Sequence, residues 1–127
     1  MTILTTGVTA ALHGLEQALH APRRDGVALG TWRWTVRQRM AALRDALAGE
    51  DDAAEDGWLA ARGGSAFRER NALLVRLARL GPAVLERPDA EGVRADLLRL
   101  AADVRRHVQR LHDLAYDEVE IELGGSE

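Results

Sequence analysis

The chain has no cysteine and no lysine. Without cysteine it can form no disulfide, thiolate nucleophile, zinc finger or iron–sulfur cluster. Without lysine, a P-loop ammonium and Schiff-base chemistry are both excluded. All 17 basic residues are arginine, spread among acids in a way that fits a GC-rich coding bias better than selected guanidinium forks. Aromatic residues make up only 4% of the chain, and β-branched residues are few, so a strand-building pattern is missing. No run approaches the roughly 20 apolar residues that cross a bilayer. The opening MTILTTGVTAALHGLEQALHA lacks a basic leader, and polar residues interrupt it, so a secretory signal is not expected. A net charge of −3 and a pI near 5.8 give no pull toward nucleic acid or an anionic membrane. A cytoplasmic protein with neither of those partners is the expectation.

What the sequence does have is alanine, leucine and arginine, with apolar residues three and four apart. Its 127 residues suffice for one core and one domain. At about 100° of rotation per residue, four amphipathic segments emerge. The first spans about 2–20, with Ile3, Leu4, Val8, Ala11, Leu12, Leu15 and Leu19 on one face. The second spans about 31–48, capped by Thr31 and stopped by Gly49, with Trp32, Val36, Met40, Leu43 and Leu47 inward. An acidic connector, GEDDAAEDG, and a short WLAAR turn follow. The third spans about 65–80 from a Ser65 cap, with Phe67, Leu73, Leu74, Leu77 and Leu80 inward, and Gly81-Pro82 is expected to break it. The fourth spans about 89–121 from an Asp89 cap. Val93, Leu97, Leu100, Ala101, Val104, Val108, Leu111 and Ala115 share its apolar face. VEIELGGSE alternates, which predicts a frayed or extended tail over 122–127. Short connections between four such helices predict an all-α, antiparallel up-down four-helix bundle over 1–121.

The stretches ALHGLEQAL, SAFRERNALLVRLARL and ADLLRLAADVRRHVQRLHDLAYDEV resemble a hemerythrin-like (HHE) four-helix bundle of the bacterial type. The resemblance runs from about residue 3 to 119 and is carried mainly by leucine and arginine spacing, so it is weakly specific. It implies a di-iron centre fed by histidines and carboxylates from every helix. His13 in the first helix and His107 in the fourth match family histidines. Asn71 stands where the third helix would supply one, and Leu111 and His112 stand where the fourth would supply glutamates. The second helix has no histidine, and the four in the chain fall short of the family's set. The resemblance therefore implies the scaffold with most iron ligands missing. No metal is expected, and an iron site built on His107 and His112 is the alternative.

Individual residues sharpen this. His13 points about 170° from its helix's apolar face and should meet water. His107 and His112 flank the fourth stripe about 140° apart. They are either boundary histidines or, with Arg70, the lining of a small-ligand or metal site between helices. Glu16 and His20 form a solvated pair one turn apart. Arg70 falls inside the third stripe, where a charge must snorkel, meet a carboxylate or the Trp58 turn, or anchor an anion or partner. Trp34 points away from an otherwise clean stripe, with Arg33, Arg37 and Arg44 around it. It either covers a loop or, with Arg37, forms a homodimer contact. Tyr116 with Asp113 and Asp117 reads as an exposed helix end, and the acidic connector lacks the spacing of a calcium loop. No set of nucleophile, base and orienting group can be assembled, so an enzyme is not expected. A dimeric interaction or regulatory module, acting on itself or on another protein, is the functional expectation.

Overall fold

Leucine spacing alone accounts for most of the architecture. The computed structural model describes residues 2–21, 27–49 and 64–125, with side chains over 6–21, 28–49 and 64–114. It consists of α1 (Thr2–His20), α2 (Val27–Gly49), α3 (Gly64–Glu86) and α4 (Ala90–Gly125). Each helix packs on two neighbours, in the cyclic order α1–α2–α3–α4. Cross-helix contacts fix the directions. The Trp32 indole bonds to Ala18 while Arg39 lies over Gly14, so α1 and α2 run antiparallel. Arg33 meets Val84 and Arg37 meets Gly81; Arg76 meets Asp103 and Glu69 meets His107. Over the described residues the chain is an all-α, up-down four-helix bundle, as its amphipathic pattern predicts.

The inward faces are those read from spacing. Val8, Leu12, Leu15 and Leu19 join Trp32, Val36, Met40, Leu43 and Leu47 in one buried cluster with Leu73, Leu77, Val93, Leu97, Leu100, Ala101, Val104 and Val108. Full burial of one such side chain contributes roughly 1.5–3 kcal/mol, so this cluster dominates the favourable side of folding.

Helix ends differ from expectation at several points. α2 begins at Val27, so Thr31 lies inside it rather than capping it. Leu29 is the reason: it sits one turn before Trp32 and packs against the core, which offsets the roughly 1 kcal/mol that helical Gly30 costs. α3 starts at Gly64, which places Ser65 in its first turn, and it runs through Gly81-Pro82 to Glu86. Proline removes one helical hydrogen bond, but here the orphaned carbonyl belongs to exposed Ala78 and water can solvate it. Meanwhile Gly81 and Val84 extend the buried face beyond the proline. Gly81 is where a side chain would crowd a neighbour, since a Cβ there would stand 3.3 Å from the Arg37 guanidinium carbon. The helix stops before Arg87-Pro88, where the pre-proline residue disfavours helical geometry. α4 runs to Gly125, past the expected end at 121. Glutamate and leucine are good helix formers, and propagation on a long existing helix outweighs a five-residue alternation. The acidic connector, Trp58 and its turn lie outside the described residues.

Polar side chains from neighbouring helices close the helix termini. Trp32 Nε1 donates to Ala18 O at 3.0 Å, and Arg94 Nε donates to Leu19 O at 2.7 Å. Together they satisfy carbonyls that α1 leaves without internal partners at its C-terminal end. Arg33 Nη1 does the same for Val84 O of α3 at 2.8 Å.

Candidate functional site

Along α3, the buried face reads Ala66, Arg70, Leu73, Leu77, Gly81, Val84. Arg70 thus interrupts an apolar row at the same level at which His107 interrupts the row on α4. Both are 1% exposed, and they are the buried polar side chains among the described residues. Beyond them Ala66 and Leu111 form a second, smaller apolar cluster with Leu114. A polar layer therefore lies between α3 and α4 near one end of the bundle, where a ligand site between helices would sit.

Glu69, which precedes Arg70, reaches across to α4. Its Oε1 lies 2.9 Å from His107 Nδ1 and 3.4 Å from Arg110 Nε. The carboxylate is thus held between an imidazole and a guanidinium. Arg70 Nη2 donates to Asn71 Oδ1 at 3.0 Å, and the guanidinium lies 4.4 Å from the centre of the Phe67 ring, a cation–π contact. Neither Arg70 nor His107 is confined to these contacts. Arg70 does not snorkel to the surface; its charge stays inside, bonded and stacked.

The remaining sequence candidates lie apart from this layer. His112 is exposed, turned toward the α1 side of α4, so it does not join His107. His13 is exposed, as its phase predicts. Glu16 pairs with Arg105 of α4 rather than with His20, whose Nδ1 lies 3.4 Å from Arg94 Nη2. Arg37 is half-buried on the α2–α3 seam over Gly81. Trp34 is 58% exposed on the outer face of α2. Among the described residues no group of three or more histidines, aspartates or glutamates converges as a metal site. His107 and Glu69 alone do not suffice for a di-iron centre, and Arg110 already supplies positive charge to the carboxylate that would have to ligate. The described donors do not fit that group.

Sequence reasoning missed Glu69, Arg110 and Asn71 as partners. Glu69 sits at the edge of the α3 stripe, about 100° from Arg70, which is a readable signal for a side chain facing the next helix. It also missed a row of ion pairs along α4 that reaches α3 and the residues after it. Asp96 accepts from Arg87 Nη1 at 2.8 Å and from Arg99. Asp103 accepts from Arg76 Nη1 at 2.5 Å and from Arg106. The hydrogen bond and charge of Arg87 hold the Asp96 carboxyl below its usual range of about 3.8 and do the same to Asp89.

A depressed folded-state pKa favours folding above the unfolded value and loses that contribution as pH falls through the folded one. Stability is therefore expected to decline below pH 3.8, with a shallower acid limb in Asp96→Asn. Urea midpoints taken between neutral pH and pH ~2 check this; identical acid limbs would refute it.

The class is thus an all-α four-helix bundle with a polar layer and no metal-ligand cluster among its described residues. No family model, curated protein or solved structure matches the chain.

Proposed function

We propose that this chain is a metal-free helical-bundle interaction module, built on a hemerythrin-like scaffold, cytoplasmic, and self-associating through the outer face of α2. The observation that carries the reading is Trp34, 58% exposed on a helix whose opposite face is fully engaged in the core. An indole in water forgoes a large burial energy, and tryptophan is the residue most enriched among interface anchors. Arg37 shapes the edge of that face rather than its centre, since it lies over Gly81. The polar layer adds support: the half-buried Glu69 is held by His107 and Arg110, so its carboxylate already has positive charge beside it. The chemistry offered is recognition and not turnover.

A second reading, an iron- or small-ligand-binding variant with a reduced site, draws on the His107–Glu69 pair across α3 and α4. Two measurements separate the readings. Sedimentation equilibrium should give a dimer for the native chain, and Trp34→Glu should weaken it at least ~10-fold without changing the helical content measured by circular dichroism. A native chain that stays monomeric at ~100 μM would defeat self-association. Iron or zinc bound near one per chain in purified protein would defeat the metal-free reading.

A further inference from the structure

We propose that the cleft on the outer α3–α4 seam binds a small divalent oxyanion with a short apolar body, of the phosphate monoester class. The cleft has a volume of about 270 Å³ and is lined by Arg76, Arg79, Leu80, Asp96 and Arg99. Three guanidiniums against one carboxylate line it, and even with Asp103 beside Arg76 positive charge is in excess there, in a chain whose net charge is −3. The positive potential is therefore local.

The acids along this seam are already engaged. Asp96 holds Arg87 and Arg99, Asp103 holds Arg76 and Arg106, and Glu69 holds His107 and Arg110. Arg79 lines the cleft beside Arg76, Asp96 and Arg99, and among the described residues no acid pairs with it. A guanidinium left over beside two others is a ready fork for an oxyanion, and phosphate matches its bidentate geometry. Leu80 and the arginine stems supply apolar walls, which favour a ligand with a hydrocarbon body over a bare ion. The small volume limits that body to about one ring. Asp89, Asp96 and Asp103 along the same seam oppose an extended polyanion such as nucleic acid, so a compact ligand is selected.

The test uses phenyl phosphate and inorganic phosphate as probes, titrated into the full chain at physiological ionic strength. Amide and arginine Nε resonances are followed. Phenyl phosphate should saturate with a Kd of order 0.1–1 mM, shifting Arg79 and Arg99, and inorganic phosphate should shift the same signals more weakly. Arg79→Gln should weaken phenyl phosphate at least ~10-fold, while Arg44→Gln, an equal charge loss on α2, should leave it unchanged. Arg79 holds no intramolecular pair among the described residues, so the fold tolerates its loss; an unchanged thermal midpoint verifies this. Absence of saturation up to ~10 mM, or binding that survives Arg79→Gln, overturns the site. Equal weakening by Arg44→Gln reduces it to bulk charge attraction and overturns it too. Equal affinity for both probes removes the apolar body from the assignment.

Discussion

Trp32→Ala is expected to lose about 3–5 kcal/mol of stability, the range for deleting a large buried aromatic. Trp32 is 6% exposed within the main core cluster, so its removal leaves a void between α1 and α2. It also ends the 3.0 Å bond to Ala18 O, leaving that carbonyl at the α1 terminus with only the longer 3.4 Å bond from Ala21 N. For a domain of this size, that loss lowers the thermal midpoint by roughly 10–15 °C. Trp32→Phe separates the two contributions. Phenylalanine keeps most of the apolar area but cannot donate, so it should cost only about 1–2 kcal/mol. Urea unfolding of the three proteins measures both effects, and a Trp32→Ala loss under about 1 kcal/mol would mean that the indole does not hold the α1–α2 corner.

Arg70 gives the second large effect, and its sign depends on the replacement. Arg70→Ala should lose about 3 kcal/mol, because it empties volume in the polar layer and strips Asn71 and Phe67 of their contacts. Arg70→Met should recover most of that loss. Methionine fills similar space, adapts to irregular gaps and makes a favourable sulfur–aromatic contact in place of the cation–π one. Replacing a buried charge by an apolar side chain of like volume is often close to neutral, whereas truncating it is not. Equal losses for the two variants would show that charge, not packing, secures this position. A Met variant that recovers stability would instead show the guanidinium is retained for something other than the stability of the bundle.

The polar layer also marks the limit of what periodicity conveys. That Arg70 would lie inside the α3 stripe followed from its spacing, and its burial agrees. That His13 would face water followed from the same rotation, and it does. What the rotation could not supply was the partner on the neighbouring helix. Glu69 meets His107 only because α3 and α4 run antiparallel at one particular register. The same register brings Arg76 onto Asp103 and leaves Arg79 without an acid among the described residues. His112 shows the converse: close in sequence to His107, it is turned to a different seam and exposed.

Helix limits divide along similar lines. The end of α1 before Pro22 and the end of α3 before Pro88 are local events, governed by what the chain can do around a proline. The passage of α3 through Gly81-Pro82 is not local. Val84 gains burial only if the helix continues, and Arg37 from α2 fills the space that Gly81 leaves. The early start of α2 at Val27 has the same origin in Leu29, which packs against the core.

By itself the sequence determined four helices, their inward faces, the antiparallel bundle and the outward aim of Trp34, because each follows from a 3.6-residue repeat. The tertiary structure decided which side chains meet between helices: the Glu69–His107–Arg110 group, the ion-pair seam and the arginine-lined cleft. The physical reason is that helical phase is an intrinsic rotation carried along one chain. Axial register between two helices is set only when their side chains pack together.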